Sequence, residues 1–416
     1  MFRFKLVFIL ILIINFSELN AQNEKVKCGI DVLVENDFAQ LKGKRVVLLT
    51  NHSGRTNTGK PSIEAFLETK NCKLIAVMTP EHGYYTSIPA GEAIKSSEIY
   101  GLPLISLYGN SKSPAGNQLT HSDAVIVDIQ DIGVRSYTYI STIYNVMKEC
   151  AKLGKPVVVL DRPNPLGGMV VDGNVLDGKM KSFVGMIEVP YIHGCTVGEL
   201  SKMINEEGWL GINGKDTLKC NLSIIEMKGW ERWMNWEDTG LQWFPTSPHV
   251  PTIESVRGIA TLGIIGELGI ISIGIGTTLP FQYIGSPQFN FEKFQEYFNI
   301  SSQTGIQFYE ARYRPFYGIY NGKDCNGYLL KFLPNNLFTP YSTGISLLVA
   351  LGEASPELFS KSNLTAKQIE MFEKVTGTKK IIDALIKGEK AQEIIALTRE
   401  GLDDYMIMRE KYLIYP

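Results

Sequence analysis

The stretch KLIAVMTPEHG, residues 73–83, decides the fold, because an unbroken apolar run leads directly into a carboxylate and an imidazole. Such a run, here residues 74–78, is typical of a strand that is covered on both faces. Three further apolar runs end in the same way: residues 46–49 before Asn51, 124–127 before Asp128, and 156–160 before Asp161. Four such endings predict one site at one edge of a sheet.

Helical segments alternate with these predicted strands. One helix is predicted to begin near Pro61, at a position that tolerates the missing N–H of proline, and another spans residues 139–153. The alternation predicts an α/β fold with a doubly wound, mostly parallel sheet. In such sheets, ligands bind beyond the carboxyl ends of the strands, which is where these polar residues fall.

A proline-rich segment marks the predicted boundary between two domains. The segment PTSPHVP, residues 245–251, is a stiff connector or a cleft wall. We predict one domain over residues 26–250 and a smaller α+β domain over residues 251–416. The smaller domain is predicted to end in three short helices, with turns at Gly377 and Gly388.

The amino terminus is typical of a secretory leader. Arg3 and Lys5 precede an apolar stretch at residues 6–16, and Ala21 offers a small residue for cleavage. A membrane anchor is the alternative, but the apolar stretch is shorter than the roughly 20 residues of a spanning helix. We expect an exported protein, periplasmic or extracellular, with no stable membrane insertion after cleavage of residues 1–21.

Charge and cysteine usage exclude several classes of function. A formal net charge of −2 indicates no nucleic-acid partner. The six cysteines form no CxxC pair, and the five histidines show no metal-ligand spacing, so we expect neither a metal site nor another cofactor. The cysteines are either disulfide-bonded or buried free thiols, and their pairing stays open, as does the oligomeric state.

Of two common nucleotide-binding motifs, one is incomplete in this sequence and the other is absent. The sequence GRTNTGK, residues 54–60, nearly forms a phosphate-binding P-loop, but Pro61 replaces the Ser or Thr that would hold Mg²⁺. No GxGxxG follows the first strand, which disfavours a dinucleotide enzyme.

Glu81 and His82 either form an acid/base pair or belong to a loop that caps a helix, and Asp128, Asp131 and Asp161 are the accompanying candidate carboxylates. Several carboxyl groups around one cleft can raise the pKa of one and keep another ionised, which glycoside cleavage requires. The structural alternative is that the aspartates cap helices or pair with Arg135 and Arg162.

Arg135 and Tyr137, which follow Asp131 closely, are candidates for substrate binding. An arginine fork, Arg135, suits an anionic group of a substrate, and Tyr137 offers a flat apolar face with a hydroxyl for a sugar ring. A salt bridge and core packing are the structural alternatives for the same two side chains.

Taken together, five motifs resemble the exo-β-N-acetylmuramidase family of bacterial peptidoglycan glycosidases. They are PEHG at residues 80–83 with AGE at 90–92, DIQDIGVRSYTY from residue 128, DRPNPLGG from residue 161, HG at 193–194 before TVGEL, and PTSPHVPT from residue 245. These motifs run across most of the chain after residue 21.

The resemblance implies a Rossmann-like domain, a smaller carboxy-terminal domain and a cleft between them. It also implies release of terminal N-acetylmuramic acid from the non-reducing end of glycan fragments, with Glu81 as general acid. The candidate substrate-binding residues are then Asn51, His82, Glu92, Arg135, Tyr137, Arg162, Asn164, His193 and His249.

The chain departs from the family pattern at two places. Tyr85 stands where the family commonly has an arginine, and Ile270 and Ile275 replace polar or cationic residues, whereas Glu267 is kept. These departures keep two alternatives open, namely an exported sugar- or muropeptide-binding protein without turnover and a hydrolase of a different substrate. The mechanism also stays open between inversion, retention and attack by the substrate's own 2-acetamido group.

Overall fold

The computed structural model describes residues 25–109, 111–356 and 364–416. The predicted leader at residues 1–21 lies outside the described residues. Across the described ranges, no helix combines the length and the apolar character needed to cross a bilayer. All six cysteines are buried free thiols.

The strands are numbered in chain order. They are β1 (Arg45–Thr50), β2 (Lys73–Thr79), β3 (Ser97–Ile99), β4 (Leu102–Ser106), β5 (Ala124–Asp128), β6 (Val157–Leu160), β7 (Asp172–Val175), β8 (Pro190–Ile192), β9 (Ile212–Asn213), β10 (Asp216–Thr217), β11 (Leu222–Ile225), β12 (Tyr283–Ser286), β13 (Ile306–Tyr313) and β14 (Cys325–Phe332).

The helices are numbered in the same way, and four short 3₁₀ turns are left unnumbered. They are α1 (Gly29–Glu35), α2 (Ser62–Glu68), α3 (Gly116–Leu119), α4 (Tyr139–Lys152), α5 (Val197–Glu206), α6 (Ile253–Leu268), α7 (Phe291–Tyr297), α8 (Pro340–Ala354), α9 (Ala366–Thr376), α10 (Lys380–Lys387), α11 (Ala391–Thr398) and α12 (Leu402–Glu410).

A seven-stranded sheet of order β11-β6-β5-β1-β2-β4-β3 forms the centre of the first module. Six of its strands are parallel, and β3 pairs antiparallel with β4 at one edge. The chain runs outward from β1 to β4, returns to β5, and runs outward again to β11. This doubly wound order confirms the predicted α/β class and places a topological switch point between β1 and β5.

The second module is smaller and contains a three-stranded antiparallel sheet of order β12-β14-β13 packed with helices. The tail was predicted to form three helices, but α9 to α12 are four. The additional break lies at Gly401, whose φ of 78° is a left-handed conformation that glycine adopts without steric cost.

The two modules share one apolar interior. A single cluster of buried side chains extends from the sheet of the first module to the helices of the second. Tyr191 of β8 packs against Tyr341 of α8, with ring centroids 4.7 Å apart. At the chain end, Tyr415 returns to the first module and packs edge-on against Trp230. These contacts join the two modules through one packed interior.

Candidate active site

A cavity of about 230 Å³ lies between the two modules. Its walls include Glu81, His82, Tyr137 and His249 of the first module and Glu267 and Phe281 of the second. Two carboxyl groups from different modules therefore line the same cavity.

Glu81 is held by donors on both of its oxygens. It follows β2 directly, and its carboxyl accepts 2.6 Å from the Thr138 hydroxyl on Oε2 and 3.0 Å from the Gly91 N–H on Oε1. Burial, and then the neighbouring Glu81 carboxylate, raise the pKa of the Tyr108 phenol to about 12. Donors of this kind suit an ionised carboxylate, which only accepts hydrogen bonds.

His82 follows Glu81 with a left-handed backbone, φ 71°. Such conformations are uncommon outside glycine and cluster at functional sites. The Nδ1 atom donates to the carbonyl oxygen of Ile88 at 2.8 Å, so in the neutral ring Nε2 is the unprotonated nitrogen. Burial lowers the pKa of His82, which therefore lines the cavity as a neutral imidazole.

Glu267 lies in the last turn of α6, and burial raises its pKa to about 7. Glycines allow neighbouring side chains to pack closely against this face of α6, because a Cβ at Gly266 would lie 2.4 Å from the Ile273 side chain and one at Gly263 would lie 3.0 Å from the Tyr191 hydroxyl. Sequence reasoning gave Glu267 no catalytic role. Its signal was available, since Glu267 is the one charged residue between Arg257 and Glu292.

Asp128 does not line this cavity. It is fully buried and forms an ion pair with Arg162, at 2.6 Å from Nε to Oδ1 and 3.0 Å from an outer guanidinium nitrogen to Oδ2. The Ser62 hydroxyl also donates to Asp128. The expectation of a catalytic Asp128 and a substrate-binding Arg162 is corrected, because each is the other's partner.

Asp161 is likewise enclosed by protein donors. Its oxygens accept from the hydroxyls of Thr196 and Tyr415, both at 2.7 Å, and from the N–H groups of Gly198 and Arg162. Burial raises the pKa of Asp161 to about 6. Asp161 joins β6 to the start of α5 and to the chain end, and it lies away from the cavity, so the catalytic expectation is corrected here too.

Asp131 and His193 are buried beside each other outside the cavity lining. Asp131 accepts from the Gly133 N–H at 2.8 Å, and its Oδ2 lies 3.9 Å from Nε2 of His193. Burial raises the pKa of Asp131 to about 7 and lowers that of His193 to about 3. His193 is therefore neutral near pH 7, whereas Asp131 titrates around that pH, and neither residue lines the cavity.

Arg135 does not face the cavity. Its guanidinium is fully buried and donates to four backbone carbonyls, those of Asn174, Val189, Val375 and Thr376, at 2.7 to 3.2 Å. The last two belong to the carboxyl end of α9, where the helix dipole favours a cation. Arg135 therefore ties the modules together, which corrects its predicted role as the partner of an anionic substrate group.

The other predicted binding residues divide into two groups. Tyr137 and His249 line the cavity with His82, and they are fixed by hydrogen bonds to Thr246 and Tyr317. Asn51, Asn164 and Glu92 do not line it. The amide of Asn51 donates to the Tyr139 hydroxyl, that of Asn164 donates to the Cys195 carbonyl, and Glu92 is exposed.

The crevice at the switch point is nearly filled by protein. Arg55 of the P-loop-like segment donates to the carbonyls of His52 and Gly59, and its guanidinium lies 4.4 Å from the Phe244 ring centroid. The space that remains beside Arg162 is about 70 Å³. The loop is therefore closed on itself and leaves no cradle for a nucleotide.

Two carboxyl groups that line one cavity are the arrangement of a glycoside hydrolase. The chain belongs to the exo-beta-N-acetylmuramidase NamZ family, because the model of the family's N-terminal part matches residues 46–254 and that of its C-terminal part matches residues 260–415.

Relatives cover nearly the whole chain. Peptidoglycan beta-N-acetylmuramidase NamZ of Bacillus subtilis is 35% identical over 397 residues, which are 95% of this chain and 92% of that protein. A DUF1343 family protein from Bacteroides fragilis has a similar crystal structure, with a TM-score of 0.87 and 34% identity over 94% of this chain and 99% of that one. A second DUF1343 structure from the same organism has a TM-score of 0.73, 27% identity and the same coverage.

Proposed function

We propose that this protein is an exo-acting glycoside hydrolase that releases terminal N-acetylmuramic acid from the non-reducing end of peptidoglycan fragments. The observation that carries the proposal is the pair Glu81 and Glu267, which share one cavity in different electrostatic settings. The Bacillus subtilis relative, a peptidoglycan beta-N-acetylmuramidase, supports the choice of glycan and sugar.

The settings of the two carboxyl groups assign their roles. A general acid must carry a proton at working pH, and the raised pKa of Glu267, about 7, meets that need. Glu81, fixed by donors on both oxygens, is the ionised partner that faces the developing oxocarbenium charge. This reverses the acid role that the family resemblance implied for Glu81.

Glu81 then has three possible tasks, which differ in geometry. It activates a water in an inverting reaction, attacks the sugar carbon in a retaining one, or holds the N–H of a 2-acetamido group that itself attacks. All three require an ionised, oriented carboxylate on the face opposite the acid.

The size and lining of the cavity support exo-action. Its volume of about 230 Å³ lies just below the 300–1,000 Å³ typical of ligand pockets, which suits a single terminal sugar better than an internal stretch of glycan. Tyr137 and Phe281 supply aromatic surface for a sugar ring.

The proposed site of action is the periplasm or the cell surface. The support is the leader-like sequence at residues 1–21 together with the substrate, since peptidoglycan lies outside the cytoplasmic membrane.

Leaving-group dependence tests the two roles. The mature chain, Glu267→Gln and Glu81→Gln are assayed on a muramic-acid-containing disaccharide and on a 4-nitrophenyl β-N-acetylmuramide. A nitrophenolate needs little protonation, so Glu267→Gln should lose about 10²- to 10⁴-fold on the disaccharide and far less on the nitrophenyl glycoside. Glu81→Gln should lose activity on both substrates.

Each outcome has a distinct meaning. Glu98→Gln, an exposed residue on the edge strand β3, is the matched control and should keep full activity. The reverse pattern between the two glutamates would return the acid role to Glu81. Absence of release from either substrate by the unchanged chain would overturn the proposal.

A second candidate function rests on the positions at which this chain departs from the family pattern. Ile270 is buried, Ile275 packs against the core, and Tyr85 is 66% exposed, so these positions carry no cation. A sugar-binding protein without turnover, or a hydrolase of another glycan or ester, would fit this change. Saturable binding without release favours the first, and release from a non-muramic substrate favours the second.

A further inference from the structure

The cavity lacks a fixed cation for an acidic sugar. Across the described ranges, no lysine or arginine lines it, and it contains two glutamates. The lactyl carboxylate of N-acetylmuramic acid is ionised at neutral pH, and burying it without a partner is costly. Arg135 is committed to four backbone carbonyls, so the partner must come from elsewhere.

The two cavity histidines do not supply that charge. Burial lowers the pKa of both His82 and His249, so both rings are neutral near pH 7. His249 also engages its Nε2 with the Tyr317 hydroxyl at 2.7 Å. A cation close to the cavity would match the substrate's charge.

Lys112 has the geometry of such a cation. Its Nζ lies 4.1 Å from the ring centroid of Phe183 and 5.4 Å from that of Tyr108. These two rings are themselves 5.8 Å apart, so the ammonium lies over a pair of aromatic faces. Within the described part of the chain, Lys112 forms no ion pair, so the three N–H donors of its ammonium are available.

The aromatic pair beneath Lys112 leads directly to the cavity. Tyr108 follows β4, and its hydroxyl lies beside the Glu81 carboxylate. Phe183 precedes Val184, which is part of the cavity wall. Lys112 is thus connected to Glu81 through Tyr108 and to the cavity wall through Phe183.

We propose that Lys112 binds the carboxylate of the terminal N-acetylmuramic acid and thereby selects muramic over glucosamine glycosides, an assignment that rests on the proposed function above. Cation–π contact with Phe183 and Tyr108 limits the freedom of the lysine side chain before substrate arrives, which lowers the entropic cost of binding. The charge lies outside the reacting centre, so it acts on specificity and not on bond cleavage.

The test compares Lys112→Met with Lys148→Met. Lys148 is a matched control, because its Nζ also lies over an aromatic ring, that of Tyr144, at 5.8 Å, and it does not line the cavity. Each variant is assayed on a 4-nitrophenyl β-N-acetylmuramide and on its methyl ester, which has the same shape without the charge.

Lys112→Met should raise KM for the free acid about tenfold, with little change in kcat for the acid or in either constant for the methyl ester. Lys148→Met should leave the kinetic constants for both substrates unchanged. Lys112→Arg should restore most of the affinity. Added salt should weaken binding of the free acid to the unchanged chain, because an exposed charge pair is screened. It should have little effect on binding of the acid to Lys112→Met.

Equal effects on acid and ester, or no effect on either, would overturn the assignment of Lys112. Failure of the proposed function gives a different signature, namely no turnover of any muramide by the unchanged chain. In that case, calorimetric binding of free N-acetylmuramic acid and N-acetylglucosamine still tests Lys112, and equal affinity for the two sugars would reject it.

Discussion

Two groups of buried carboxyls differ in what surrounds them. At the edge of the central sheet, Asp128 and Asp161 accept hydrogen bonds on every oxygen from side chains and backbone N–H groups of the same chain. At the junction of the modules, Glu81 and Glu267 border empty space. Access to the cavity separates the two groups, because Glu81 also accepts hydrogen bonds on both oxygens and yet lies where a substrate can reach it.

This difference explains why the switch point is not the candidate site. The topology brings charged residues to the ends of β1, β5 and β6, as in other doubly wound sheets. Here the Asp128–Arg162 pair and the Arg55–Phe244 contact occupy the crevice. The second module instead meets the loop after β2, so the cavity forms one strand away from the switch point.

The largest effect is expected from breaking the sheet-edge pair. Asp128→Asn leaves the buried Arg162 charge without its counter-ion, so the free energy of unfolding should fall by about 3–5 kcal/mol. Chemical denaturation measures the loss. If the variant were as stable as the unchanged chain and inactive, Asp128 would belong to the reacting group of carboxyls after all.

A similar but smaller loss is expected at the junction. Arg135→Met leaves four buried carbonyls without their donor, which should cost about 3 kcal/mol of unfolding free energy. The ratio of muramide to glucosaminide turnover should not change at temperatures where the variant is folded. A selective loss of the muramide in the folded variant would give Arg135 back the substrate role that its sequence position suggested.

The fold followed from local pattern more completely than the site did. A strand that is buried on both faces needs apolar residues at every position, and residues 74–78 satisfy this within one short segment. The sheet could therefore be predicted from local sequence. Whether Asp161 is free depends on Tyr415, which is 254 residues away in sequence. The same applies to Arg135, whose carbonyl partners Val375 and Thr376 follow it by 240 and 241 residues.

Glu81 and Glu267 show the same contrast within the site itself. The turn after β2 could be predicted to carry Glu81, because a polar residue that directly follows an apolar run is expected just beyond the end of the strand. By contrast, which face of α6 points to the cavity is decided by packing between the modules. Gly263 and Gly266 mark the face that carries Glu267, but their role is visible only from the close approach of Tyr191 and Ile273 in the folded protein.

A third, intermediate effect concerns pH and Glu267. Its pKa of about 7 in the folded protein lies above the 4.5 of a free glutamate, so folding favours the protonated form. The resulting stability is fully present below about pH 4.5 and is lost as pH rises through 7. At 1.36 kcal/mol per pKa unit, the rise of the pKa from 4.5 to about 7 corresponds to a loss of about 3 kcal/mol.

The glutamine of Glu267→Gln cannot ionise. The melting temperature of this variant should therefore rise relative to that of the unchanged chain as the pH increases from 5 to 8. Comparing the two chains at each pH cancels the titration of Asp131 and Asp161, whose pKa values are also raised by burial. A difference that stays constant across this range would mean that Glu267 is not desolvated in the folded protein.

The smallest effect is expected where the pairing geometry is the same but burial is absent. Arg314 holds Asp324 through two bonds of 2.8 and 2.7 Å, much as Arg162 holds Asp128, yet its side chains are 61% and 77% exposed instead of 5% and 0%. Arg314→Met should therefore barely change the melting temperature, and any change should vanish at high salt, since water replaces the lost partner. A loss comparable to that of Asp128→Asn would mean that pairing geometry, and not burial, separates structural from available carboxylates in this protein.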